Sequence, residues 1–303
     1  METYEIGKII RETRTRRNIS QEKLSEGICS PVTLSRIENG TQKLSLKIEK
    51  ALLERLGYNT EDMIVYADEN EVRKHRLESE IQVRIMHYEK VDNLIEEYVG
   101  LLATRGAEMM LEKQFVQMAV AVQGLYTNEW SLEKVKEEIV AAIRLTIPSF
   151  SDVFCLYGKI YTNTEIQLLN NLGIVYAKQH MMAKASRLFF SLVEYVEKNE
   201  MDVETKNKTY PMLIHNLVRS LEGTNSMDEI LEYAEKGIAY CVKYNRLNCL
   251  PDLVYYSGLG YQNMGMKDDA IRRYRQAISL LELSGRMESA VYLKKEIEEL
   301  TKS

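Results

Sequence analysis

Apolar residues return every three or four positions through most of this chain, the spacing of helices that bury one face. The first such stretch, from about Glu5 to Arg17, puts Ile6, Ile9, Ile10 and Thr13 on one side and Arg11, Arg14, Arg16 and Arg17 on another. Ser20 is placed to cap a short second helix, with Lys23 rather than an acid at the third helical position, Leu24 as core anchor and Gly27 as its end. Ser30 caps a third helix and Pro31 fills its first position, where a missing N–H costs nothing. Leu34 and Ile37 read as inward, Val32, Thr33 and Arg36 as outward, and Gly40 stops the helix. Leu44, Ile48, Leu52, Leu53 and Leu56 predict a fourth helix, and Thr60 is placed to cap a short fifth.

After Tyr66 the pattern changes, which sets the expected domain boundary: a head over 1–66 and a body over 67–303. Val72, Leu77, Ile81, Ile85, Val91 and Leu94 predict a charged linker helix and a first hairpin between Asp68 and Tyr98. Ala107–Tyr126 and Ser131–Leu145 read as another helix pair, broken at Thr127-Asn128 and ended by Pro148. A repeat follows. Gly173 precedes Ala185 by the same 12 residues that separate Gly258 from Ala270, and Tyr176 and Tyr261 each follow their glycine by three. A weaker copy lies between them, with Asn216-Leu217-Val218 in one helix and Ile230, Ala234 and Gly237 in the next. Ser284–Lys302 reads as a polar terminal helix, Pro251 as a first-turn residue, and Pro211 as a first-turn residue or a kink.

Composition supports this all-α reading: only four Pro and fifteen Gly occur in 303 residues. The net charge of −5 changes the picture once it is divided. Residues 1–58 hold eleven Lys/Arg against eight Asp/Glu, a net of +3, which leaves −8 for the remainder. A basic head on an acidic body suits contact with a polyanion through the head alone. No apolar run approaches the ~18 residues that span a bilayer, and the N-terminus lacks the apolar core of a signal peptide. Cys29, Cys155, Cys241 and Cys249 are scattered, so reduced thiols in a cytoplasmic chain are expected, with no metal and no cofactor.

Gln21, Leu24, Ser30, Leu34, Ser35, Arg36, Ile37, Glu38, Asn39 and Gly40 resemble the lambda-repressor-like (Cro/cI, or XRE) helix-turn-helix, in the form found in peptide-sensing regulators of the PlcR/Rgg type. The resemblance implies a sequence-specific binder of double-stranded DNA. By it, Gln21 and Asn39 hold phosphates, Lys43 approaches the backbone, and Ser30, Pro31, Val32, Thr33 and Arg36 lie at the groove. Arg36 has the chemistry for a bidentate guanine contact, and Val32 and the Thr33 methyl for a thymine methyl. Arg14 and Glu38 read either as two solvated charges or as a partly buried ion pair that ties the first helix to the recognition helix; the resemblance favours the pair.

The repeat resembles the tetratricopeptide (TPR) pattern, although its intervals of 45 and 40 residues exceed the usual ~34. Stacked TPR helix pairs make a concave face suited to an extended peptide. Asn171 and Asn216 occupy matched positions in it, and an Asn amide both donates and accepts, as a peptide backbone requires. A solvated residue or a helix-packing bond is the plainer reading of either one. Asn170, His215, Arg219, Tyr255, Gln262 and Asn263 are further candidates to line the groove. The fourteen methionines read as core filler, or as an adaptable binding surface.

Head and body together resemble the RRNPP class. That resemblance implies a cytoplasmic transcription regulator in quorum sensing, a homodimer on a palindromic operator, controlled by a short signalling peptide. A repressor whose TPR body serves only oligomerisation or a protein partner is an alternative, and a TPR scaffold with a vestigial head is another. No phosphate loop, HExxH, nucleophile elbow or Cys/His/Asp cluster points to an enzyme. Adjacent carboxylates such as Glu137-Glu138 diverge on a helix and could not act on one atom.

Overall fold

The computed structural model describes residues 3–43, 45–60, 69–87, 89–102, 108–151, 158–222, 224 and 226–302. Every regular element among them is an α-helix. The chain forms two compact units, one of Met1–Gln179 with Lys198–Val203 and one of His180–Glu197 with Glu204–Ser303. The head expected over 1–66 is therefore part of a larger unit. The boundary at Tyr66, the fifth helix expected after Thr60, and Leu44, Asp68, Ala107 and Cys155 lie outside the described residues.

Local chemistry sets the head. α1 (Thr3–Arg16), α2 (Gln21–Ser25), α3 (Pro31–Glu38) and α4 (Leu46–Arg55) are joined by short turns. The hydroxyls of Ser20, Ser30 and Ser45 accept the N–H of Lys23, Thr33 and Ile48, so three helices begin on a serine cap. Ile6, Ile10, Leu24, Leu34, Ile37, Leu52, Leu53 and Leu56 close one apolar core. Gly7 lets α1 lie directly on α3, because a Cβ there would stand 2.1 Å from the carbonyl oxygen of Ile37.

The rest of the first unit is α5 (Glu69–Met86), α6 (Asp92–Gly100), α7 (Glu108–Thr127), α8 (Leu132–Thr146) and α9 (Asn163–Lys178). α7 is its central rod. Phe115, Met118, Ala119, Val122 and Leu125 are buried along it, and Leu111 completes the apolar core of the head. α8 starts on Ser131, and α9 starts on a reciprocal capping box made by Thr162 and Glu165.

The second unit holds α10 (Met182–Lys198), α11 (Val203–Glu222), α12 (Met227–Lys243), α13 (Leu250–Asn263), α14 (Lys267–Leu283) and α15 (Met287–Lys302). α12 packs on α13, α13 on α14 and α14 on α15, the nearest-neighbour order of a solenoid. The small residues of the repeat serve close packing: a Cβ on Gly258 would stand 2.6 Å from the Tyr274 ring. Pro251 sits in the first turn of α13. Pro211 does not begin a helix; it lies in the interior of α11, buried among residues that continue the helix on both sides. The terminal helix starts at Met287, three residues later than the apolar pattern implied, after a turn at Gly285.

Candidate nucleic-acid interface and ligand-facing helices

α3 separates its two faces sharply. Leu34 and Ile37 are essentially sealed in the core, whereas Pro31, Arg36 and Asn39 are exposed and Val32 is 61% exposed. Thr33 is half-buried, its hydroxyl 2.8 Å from that of Ser30. The far end is closed by Thr41, whose N–H and hydroxyl donate to the Arg36 carbonyl at 2.9 and 3.1 Å. Lys43 follows on an exposed turn. The helix thus projects short apolar groups and one guanidinium from a fixed backbone.

Charge holds that backbone in place. Arg14 donates to both carboxylate oxygens of Glu38, Nε to Oε1 at 2.6 Å and Nη2 to Oε2 at 3.0 Å. The Glu38 side chain is only 2% exposed. Arg14 also caps the Ile19 carbonyl at 2.9 Å, and its hydrogen bond to Glu38 raises its pKa above the ordinary guanidinium value. Gln21 donates one amide N–H to the same Glu38 carboxylate at 2.7 Å. Arg11 donates to the side-chain oxygen of the exposed Asn39 at 3.1 Å, which leaves the amide N–H groups of Asn39 outside that bond. Gln21 and Asn39 are therefore aimed by neighbouring charged groups, and both retain N–H groups of the kind that bind phosphate oxygens.

Behind α3 lies a junction that sequence reasoning missed. Arg55, 4% exposed, caps α2 by donating Nη1 to the Leu24 and Glu26 carbonyls at 3.0 and 2.6 Å. Its Nη2 reaches both carboxylate oxygens of Glu165 at 3.3 and 3.4 Å. Glu165 is fully buried and also accepts the Thr146 hydroxyl at 2.6 Å and the Thr162 N–H at 2.7 Å. Gln114 extends the chain by donating to the Thr146 hydroxyl at 2.7 Å and the Ala142 carbonyl at 3.0 Å. Two local signals could have hinted at it. Arg55 interrupts an apolar run between Leu53 and Leu56, and Thr162-x-x-Glu165 spells a capping box. Nothing local says that the two meet.

The same helix α4 is held at its other end. Lys47 pairs with Glu78, and the Tyr98 hydroxyl donates to the same carboxylate. Burial pushes the Glu78 carboxyl up. The charges of Lys47 and Lys50, with hydrogen bonds from Lys47 and Tyr98, outweigh burial and bring it down to about 2. Between these ends, the Asn163 N–H donates to Glu54 at 3.1 Å.

The candidate ligand residues are placed very differently. In the first unit, Asn170 and Asn171 are both buried in α9, and the Asn171 amide donates to the Gln167 carbonyl of its own helix at 2.8 Å. In the second unit, Asn216 is half-buried and hydrogen-bonds the neighbouring His215, while Arg219 is exposed one turn on. Burial lowers the His215 pKa, and its ring packs 6.2 Å from that of Tyr256. Tyr255 stacks on Tyr274 at 5.8 Å, and the Tyr274 hydroxyl donates to Gln262. Asn263 is exposed and donates to the Leu259 carbonyl at 2.9 Å. Asn171 and Asn216 are thus not two identical free amides: one donates to a backbone carbonyl a turn earlier and the other hydrogen-bonds the adjacent His215.

Burial pushes the thiol of Cys29 up to about 11, that of Cys241 up to about 11 and that of Cys249 up to about 12, so all three stay protonated at neutral pH. Among the described residues no group of three or more His, Cys, Asp or Glu is arranged to hold a metal ion, and no helix is long and apolar enough to cross a membrane.

Residues 10–63 match the family model described as helix-turn-helix, and residues 106–300 match the RNPP family C-terminal domain. No curated protein matches the chain. Among solved structures, Bacillus thuringiensis PlcR in complex with the peptide PapR7 and DNA is similar at 17% identity and a TM-score of 0.55, covering 99% of this chain and 100% of that one. PlcR in its apo form is similar at 17% identity and a TM-score of 0.57, covering 95% and 98%. The apo form of ComR from S. thermophilus is similar at 16% identity and a TM-score of 0.51, covering 98% and 99%. At these identities the likeness is one of fold.

Proposed function

The chain belongs to the RNPP family, and from that premise we propose that it is a DNA-binding transcription regulator whose grip on its operator is set by a short peptide held in the TPR-like body. The observation that carries this reading is α3. Its outward face exposes Val32 and Arg36 while its inward face is locked by Leu34, Ile37 and the Arg14–Glu38 pair. An exposed guanidinium on a rigid helix is what a major groove can read, and Gln21, Asn39 and Lys43 flank it with donors for the phosphates. The match to a helix-turn-helix model over 10–63 and the likeness to PlcR solved with PapR7 and DNA support the same reading.

The protein acts as a cytoplasmic homodimer on a palindromic operator, two recognition helices entering successive turns of one face of the duplex. Peptide binding changes the angle or spacing of the two subunits, and operator affinity follows only as far as the peptide prefers one arrangement. Asn171 and Asn216 are the residues proposed to meet the peptide backbone. A peptide that takes Asn171 must replace its bond to the Gln167 carbonyl with a better one.

That internal bond also favours a second reading, in which the body only oligomerises. Recovery of the protein from its host, followed by mass spectrometry for a co-purified peptide, separates the two. Asn171→Ala with Asn216→Ala should then abolish the peptide response and spare DNA binding. A double variant that titrates normally with the recovered peptide would remove both asparagines from the site.

A further inference from the structure

The head of a helix-turn-helix regulator could hang on a tether or be built into the body behind it. Here the turn between α2 and α3 is held from behind. Gly27 adopts φ +72°, and a Cβ on it would stand 1.9 Å from the Thr146 carbonyl oxygen at the end of α8. The backbone of the turn thus lies directly against another helix, with no space for a side chain. Beside it, Arg55 holds the last carbonyls of α2 with one nitrogen and the carboxylate of Glu165 in α9 with another. Thr146 and Gln114 complete the chain of bonds into α8 and α7. The groups of this junction are buried, whereas Val32 and Arg36 on α3 are exposed, so the reading face is open while the junction is fixed.

A buried ion pair is a poor source of net stability, because desolvating both charges offsets most of their attraction. What it does supply is direction. An apolar contact tolerates sliding and rotation, whereas a guanidinium shared between two backbone carbonyls and one carboxylate does not. We infer that Arg55 and Glu165 are positioning residues that fix the aim of the recognition helix on α7–α9, and so fix the half-site spacing that the regulator accepts. This rests on the DNA-binding reading above. Each base pair added between half-sites turns one of them by about 34–36° around the duplex axis. A rigidly aimed head cannot follow that rotation, and a tethered one can.

Two experiments test the inference. The first needs no DNA: nitrogen-15 relaxation of the whole chain, comparing α1–α4 with α7–α9. One shared tumbling time is expected. A distinctly faster head would overturn the inference. The second is selection of binding sites from random duplexes, followed by titration of the best half-sites at graded spacers, with the wild type and with Arg55→Met, Glu165→Met. That replacement removes both charges at similar volume, but it also frees the Leu24 and Glu26 carbonyls, the Thr146 hydroxyl and the Thr162 N–H, so a melting temperature first establishes that the variant is folded. The wild type should lose about tenfold in affinity per base pair of altered spacing. The double variant should keep the same half-site sequence and lose less than about threefold. Equal spacing preference in the two proteins would overturn the inference alone. Failure of the wild type to select any sequence would overturn the DNA-binding reading, and the relaxation result would still decide whether the head is seated.

Discussion

The front and the rear of the head break the usual distribution of residues in opposite directions. At the front, Val32 stands 61% exposed on a helix whose Leu34 and Ile37 are sealed. At the rear, Arg55 and Glu165 are charged and almost wholly buried. Each placement costs solvation free energy, and each is tolerated for a different reason. The rear has partners inside the molecule and is fixed. The front has none inside and is free to meet a surface from outside. A charge inside and an apolar side chain outside, less than one domain apart, distinguish what the fold needs from what its ligand needs.

The comparison breaks most visibly if the rear is emptied of one partner. Glu165→Ala leaves the Arg55 guanidinium buried without a counter-charge and should cost about 3–5 kcal/mol. Arg36→Ala at the front should alter stability by less than about 0.5 kcal/mol. Paired thermal melts decide it; similar losses for both would erase the distinction between the faces.

Acid offers a milder way to loosen the rear. The folded Glu78 carboxyl titrates at about 2 instead of 4.5. Its contribution is therefore complete above about pH 4.5 and is lost as pH falls toward 2. The loss should be on the order of 2 kcal/mol. Denaturant melts of the wild type and Glu78→Gln across that window should converge at the acid end. Parallel curves would mean that Glu78 is not held by Lys47.

The front is tested on DNA. Arg36→Ala should lose about 1–3 kcal/mol of base discrimination, with less change on random duplex. Unchanged operator affinity would move the reading face elsewhere. The smallest effect is expected of Val32→Ala, roughly 1 kcal/mol or less in operator affinity, and confined to sites that present a thymine methyl.

Legibility in the sequence followed distance along the chain. Serine caps at Ser20 and Ser30, the proline at Pro31 and the turn at Gly27 are consequences of a few neighbouring residues, and they could be read without a fold. The spacing of Gly258 and Ala270 was legible because close helix pairs need small residues at fixed intervals. Arg55 and Glu165 were not legible as partners, since 110 residues separate them and each has an ordinary local explanation. Pro211 allowed two local readings, a first turn or a kink, and the first fails because α11 continues on both sides of it. The asparagines show a third kind of gap. Their matched positions were visible, but whether an amide faces a groove or its own helix depends on rotamers that sequence does not encode.

The glycine that lies against α8 has a consequence for anyone wishing to exchange the head for another. A cut after residue 60 would look clean, yet it would strip Leu111 from the apolar core and leave Arg55 without the carboxylate of Glu165. An incoming head would need glycine at the site of Gly27, because the contact there is with the Thr146 backbone, and either an arginine at the site of Arg55 or a host Glu165 changed to match. Transplants in this protein are grafts of a joint, and the joint reaches a residue more than a hundred positions downstream of the blade.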